Sequence, residues 1–187
     1  MPQNLPNMLT GLRIVAIPLM VLCYYLPQPI STVGAAVVFI VAAVTDWFDG
    51  WEARRMDQTS QFGAFLDPVA DKLLVTVALI LLMHRMDNIF ITLAGMVVIG
   101  REIVISALRE WMAQLGKRAS VAVSGIAKVK TGVQMTAIPI LIWYPSWPAV
   151  EEIRLLGFFL LALAVMLTLW SMVLYFRAFL STLEEQG

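Results

Sequence analysis

Asp46 and Asp49 lie three residues apart, and Asp67 and Asp71 four apart, within the stretch TDWFDGWEARRMDQTSQFGAFLDPVADK. On helices these spacings put each pair on one face, with about 5–6 Å between Cβ atoms. Carboxylates are expensive in apolar surroundings: an Asp at the centre of a membrane helix costs about 2.5–3.5 kcal/mol, and less toward the ends. Four together add mutual repulsion. One or two divalent cations reverse that balance, and an all-oxygen donor set favours Mg²⁺ or Mn²⁺ over Zn²⁺. The plainer reading, aspartates that cap helices and pair with Arg54 or Lys72, serves for one carboxylate but not for four at these spacings.

The neighbours of the aspartates have physical uses too. Gly50, Ala53 and Gly63 are small enough to let a nucleotide or a backbone come close, although tight helix packing explains small residues equally well. Arg54 has the fork geometry to contact a phosphate. Lys72 directly follows Asp71, so it points elsewhere on its helix and reads as interfacial. Pro68 suits the first turn of the helix that carries Asp67.

The elements that position these residues follow from composition. Of 187 residues, 60% are hydrophobic and 14% charged, and the mean hydropathy is +0.81. Soluble domains carry about 25% charged residues, so the chain belongs to the membrane class. A net charge of zero argues against a basic nucleic-acid binder, and no nucleic-acid partner is expected. The single Cys23 excludes an intrachain disulfide and reads as a small apolar filler. Arg13 lies inside the first apolar segment instead of ahead of it, so that segment reads as a retained helix and not a signal peptide.

A bilayer span takes about 20 mainly apolar residues. Six segments qualify, at 8–26, 31–54, 62–84, 88–115, 124–143 and 151–180, in one domain covering 1–187. Pro27 and Pro29, then Asp57 to Ser60, then Arg85 to Asn88 mark the first breaks; Gly116 to Arg118 and Pro145 to Pro148 mark the later ones. With the N-terminus in the cytoplasm, that side holds Arg13, Arg54, Arg55, Lys72, Arg101, Arg109, Lys117, Arg118, Lys128, Lys130 and Arg177. Only Arg85 and Arg154 lie outside. The asymmetry fixes both termini and all four aspartates on the cytoplasmic side. Trp143, Tyr144 and Trp147 then anchor the outer end of the fifth span.

Eight of these positions fit D-x2-D-G-x2-A-R-x8-G-x3-D-x3-D without departure, across 26 residues. The pattern resembles the signature of the CDP-alcohol phosphotransferases, six-helix membrane enzymes of phospholipid synthesis. The resemblance implies an all-α integral membrane fold. It makes Asp46, Asp49, Asp67 and Asp71 ligands to Mg²⁺ or Mn²⁺, with two ions expected, and Asp71 also the general base. Gly50, Ala53, Arg54 and Gly63 match positions that accommodate the cytidine nucleotide and its diphosphate. Asn7, Thr10 and Arg13, in PNMLTGLR, resemble a further family segment near the donor site. A homodimer in the bacterial inner membrane is implied as well.

The signature specifies a CDP-linked donor and leaves the acceptor open. Arg101 and Arg109 lie eight residues apart, on similar but not identical faces of one helix, and Lys128 and Lys130 begin the next span from the same side. Two or three of these cations suffice to bind a phosphate dianion, so a phosphorylated acceptor makes sense of them. Positive-inside bias and headgroup contacts offer a simpler account of the loop residues Lys117 and Arg118. Arg101, predicted inside a span, calls for function or a partner such as Glu102. Close similarity to one bacterial branch of the family implies sn-glycerol 3-phosphate as acceptor and CDP-diacylglycerol as donor, with Ser106, Arg109 and Lys130 at the acceptor phosphate. Inositol phosphate or serine would be the acceptor in a sister branch. A divalent-cation transporter would use the aspartates but leave Gly50, Ala53, Arg54 and Gly63 unexplained; a structural scaffold would leave the aspartates themselves unexplained.

Overall fold

The computed structural model describes residues 5–56, 61–114, 124–144 and 151–184. Within them lie six helices, α1 (Leu5–Tyr24), α2 (Ile30–Met56), α3 (Gln61–Met86), α4 (Ile89–Gln114), α5 (Ser124–Trp143) and α6 (Glu151–Glu184). The described residues are all-helical, as expected, and each helix overlaps one apolar segment.

The breaks have local causes. After Pro27, the amides of Ser31, Thr32 and Val33 donate to the carbonyls of Pro27 and Pro29, opening α2. Between α3 and α4, Asp87 takes a left-handed φ of 39°. Asn88 then caps α4, its Oδ1 accepting from the amides of Phe90 at 2.9 Å and Ile91 at 3.4 Å. Pro68 does not open α3, as the sequence suggested. The helix begins at Gln61 and carries Pro68 in its interior, because one lost backbone bond is tolerable where neighbouring helices support the chain.

Helix α1 packs on α2 and α3, α2 on α5, α5 on α6, and α4 on both α6 and α3. Fully buried side chains from every helix meet in one core, among them Met20, Phe39, Leu79, Ile91, Leu141 and Leu161. Two glycines permit the closest approaches. A Cβ on Gly95 would stand 2.5 Å from Met83 Sδ, and one on Gly157 would stand 2.6 Å from Leu141 Cδ2. Cys23, partly buried, fills space beside Gly34.

Among the described residues, two helices, Ile89–Gln114 and Glu151–Arg177, are long and apolar enough to cross a membrane, with mean hydropathies of 2.0 and 2.3. Only 33% and 28% of their most apolar stretches are buried, whereas a core helix of a soluble protein hides most of that surface. Leu93, Met96 and Ile103 on α4, and Phe159, Met166 and Trp170 on α6, all point outward. Their hydrocarbon lacks a protein neighbour, which is what a lipid-facing surface requires.

Candidate active site

Helix α2 carries Asp46 and Asp49, and α3 carries Asp67 and Asp71, so all four aspartates are helical as the spacing required. Asp71 is half-buried. The side chains of Asp46, Asp49 and Asp67 lie outside the described residues, as do those of Gly50, Ala53, Arg54, Gly63, Asn7, Thr10 and Lys128. Among the described residues no group of three or more metal-binding side chains is assembled. Arg13, on α1, is almost wholly buried, at 1% exposure.

Of the predicted acceptor residues, Arg101 and Lys130 meet at one carboxylate. Arg101, 6% exposed, sits where α4 crosses α6. Its Nη1 donates to Glu102 Oε1 at 2.7 Å, and its Nη2 donates to Ser171 Oγ at 3.0 Å. Ser171 in turn donates to the Thr168 carbonyl at 2.9 Å. Lys130, 4% exposed on α5, donates to the same Glu102 Oε1. It also lies within Coulombic range of Asp71, which links the cations to the aspartates. Glu102 is thus the partner that the burial of Arg101 demanded: a buried cation without one costs several kcal/mol.

Ser106 lies one turn beyond Glu102 and donates to the Glu102 carbonyl at 2.5 Å. Lys72 Nζ donates to Ser106 Oγ at 2.5 Å. Lys72 therefore reaches across to α4, a contact the sequence did not reveal. A lysine carries its ammonium far from its Cα, so adjacency to Asp71 in sequence did not keep it from the neighbouring helix. Arg109 donates to the Tyr175 hydroxyl and holds its guanidinium 5.0 Å from the ring centroid, while that of Arg101 stands 6.0 Å from the same ring. Tyr175 is buried between the two arginines.

Sequence reasoning placed α6 as a span but gave it no part in the site. Thr168, Ser171 and Tyr175 recur at three and four residues in an otherwise apolar helix, a polar stripe on one face. Intramembrane polar residues are rare enough that this stripe was a usable signal. The assembled group comprises cations from α3, α4 and α5, braced by α6, with Asp71 within Coulombic range of Lys130. Arranged so, it suits a phosphate-bearing molecule next to a carboxylate.

The sequence matches the family described as CDP-alcohol phosphatidyltransferase over residues 3–170. Over all 187 residues, and over the whole length of each relative, it is 52% identical to the CDP-diacylglycerol–glycerol-3-phosphate 3-phosphatidyltransferases of Shigella flexneri serotype 5b (strain 8401) and Shigella boydii serotype 4 (strain Sb227). It is 51% identical over the same span to that of Escherichia coli (strain K12).

Proposed function

The chain belongs to the CDP-alcohol phosphatidyltransferase family, and from that premise we propose that it transfers the phosphatidyl group of CDP-diacylglycerol to sn-glycerol 3-phosphate. The observation that carries this reading is the identity of about half of all residues, end to end, with relatives named for that reaction. The cluster of Arg101, Lys130, Lys72 and Arg109 supports it, since a phosphorylated acceptor gives the buried Arg101 and Lys130, the half-buried Lys72 and the exposed Arg109 a shared purpose.

The glycerol C1 hydroxyl attacks the β-phosphorus of the donor. An oxygen–phosphorus bond forms to glycerol, the bond from that phosphorus to the CMP oxygen breaks, and the hydroxyl proton passes to Asp71. Products are phosphatidylglycerol phosphate and CMP. Asp71 adjoins both substrates in this scheme: it belongs to the aspartate set, and Lys130 stands within range of its charge. Ser106 and Arg109 hold the acceptor phosphate with Lys130 and Arg101, and Lys128, one helical residue pair away from Lys130, adds charge at the same helix start. Gly50, Ala53, Arg54 and Gly63, with Asn7, Thr10 and Arg13, receive the cytidine diphosphate.

Four carboxylates on two helices are hard oxygen donors and fit Mg²⁺ or Mn²⁺; Asp46, Asp49, Asp67 and Asp71 would hold two such ions. The chemistry supplied there is neutralisation of the donor diphosphate and of the charge on departing CMP. Position and charge neutralisation then supply most of the rate, with Asp71 contributing as base.

The acyl chains of the donor have a place to lie. A groove of about 540 Å³ runs between α2 and α5, walled by Val33, Val37, Ile40, Met135, Pro139 and Trp143. A second, of about 240 Å³, continues it past Ala43 and Val44, two residues short of Asp46. All six helices span the inner membrane in this reading, with both termini and the site cytoplasmic, and the enzyme is a homodimer. Offering purified enzyme labelled glycerol 3-phosphate, inositol phosphate and serine in turn tests the acceptor. Lipid product should form from the first alone; product from either of the others at a comparable rate would move the enzyme to another branch of the family.

A further inference from the structure

The two most buried cations of the acceptor site already share an anion. Arg101 Nη1 and Lys130 Nζ both bind one oxygen, Glu102 Oε1. The three groups differ in how firmly they are held. Arg101 is fixed from behind by Ser171, itself tied to the α6 backbone at Thr168. Arg101 and Lys130 are 6% and 4% exposed, whereas Glu102 is 24% exposed. The carboxylate is therefore the component with a path to water, and the buried cations, Arg101 held by Ser171, are the seat. We propose that Glu102 is a resident counter-anion that the acceptor phosphate displaces, and that this exchange makes the site selective for a dianionic acceptor. The proposal rests on the assignment of these cations to the acceptor phosphate.

The energetics follow from charge. Between turnovers the cations need an anion, because taking an ion out of water costs several kcal/mol unless a partner offsets it. Glu102 supplies one negative charge. A phosphate monoester brings about −1.5 to −2 charges at neutral pH and three acceptor oxygens, so it gains more from the seat than the carboxylate loses. A neutral or singly charged acceptor offers no such surplus and leaves Glu102 in place. Glu102 thus acts as a specificity-determining residue through Arg101 and Lys130, without touching the reacting atoms.

The test compares full-length wild-type enzyme with Glu102→Gln and Glu102→Asp in mixed detergent–phospholipid micelles. In Glu102→Gln no charge has to be displaced. The KM for glycerol 3-phosphate and the inhibition constant of inorganic phosphate should both fall by roughly three- to tenfold, the scale of one partly screened charge contact. Acetate, ineffective against the wild type, should become an inhibitor, and Glu102→Asp should restore discrimination between phosphate and acetate. The KM for CDP-diacylglycerol should stay within about twofold in both variants, which separates exchange with the acceptor phosphate from exchange with the donor diphosphate. If Glu102 merely props the cations in place, the same variant raises the KM and the phosphate inhibition constant or leaves them unchanged, and the exchange is refuted. Should Glu102→Gln fold poorly, inorganic phosphate must raise its melting temperature by several degrees more than that of the wild type; an equal or smaller rise also refutes it. Lack of glycerol 3-phosphate-dependent CMP release by the wild type would overturn the acceptor assignment alone, and the phosphate-dependent melting shift still decides the exchange.

Discussion

In the proposed reaction Asp71 takes the acceptor's proton and Arg109 holds its phosphate, so their substitutions should separate accordingly. Asp71→Asn keeps the size of the side chain and removes the proton acceptor. General-base catalysis contributes about 10²–10⁴-fold, so turnover should fall by that factor while CDP-diacylglycerol still binds. Turnover at the wild-type rate would remove the base assignment. Arg109 is anchored by the Tyr175 hydroxyl and ring, so Arg109→Ala should raise the KM for glycerol 3-phosphate at least about tenfold, the loss of one charge-assisted contact. The KM for CDP-diacylglycerol should hardly move. Tyr175→Phe keeps the ring and loses the hydroxyl, and should give a smaller rise of the same kind. A Tyr175→Phe enzyme with ordinary acceptor kinetics would show that the ring alone positions Arg109.

At the scale of the element, the helices were legible because each needs a long apolar run, and each run announces itself. α5 begins and ends where the sequence placed it, at 124 and 143. α1 begins three residues before the expected 8, and α6 runs four beyond the expected 180, because helical hydrogen bonding continues past the last apolar residue. The aspartate spacings were equally legible, being local. What could not be read was pairing: that the polar stripe of α6 meets α4, or that Lys72 reaches Ser106 from α3. Such facts depend on side-chain reach and on pairs 34 to 70 residues apart. Helix packing itself is testable at Gly157, where an added Cβ would strike Leu141. Gly157→Leu should destabilise by about 1–3 kcal/mol, as overpacked cores do. Gly100→Ala, with nothing within 4 Å of the new carbon, should leave the melting temperature unchanged or raise it. Equal effects at the two positions would mean that close packing of α5 on α6 does not limit stability.

For the whole molecule, the outward apolar faces of α4 and α6 mark a protein that lies against lipid, and the proposed topology turns its chemistry toward a single membrane surface. Donor and acceptor differ sharply in solubility: the first is a lipid and the second a water-soluble phosphate. In the proposed topology, a site at the cytoplasmic ends of the helices would let each arrive from its own phase, the lipid along the groove between α2 and α5 and the phosphate into the cation cluster. Reporter fusions at both termini should therefore be inaccessible in intact cells and accessible after the inner membrane is opened; exposure of either terminus outside would reverse the topology. The central claim is a metal-assisted transfer between two specific substrates, and CMP release from CDP-diacylglycerol by the purified protein measures it directly. Release should require glycerol 3-phosphate, cease on chelation and return with added Mg²⁺ or Mn²⁺. Release that continued without the acceptor or in excess chelator would contradict the account.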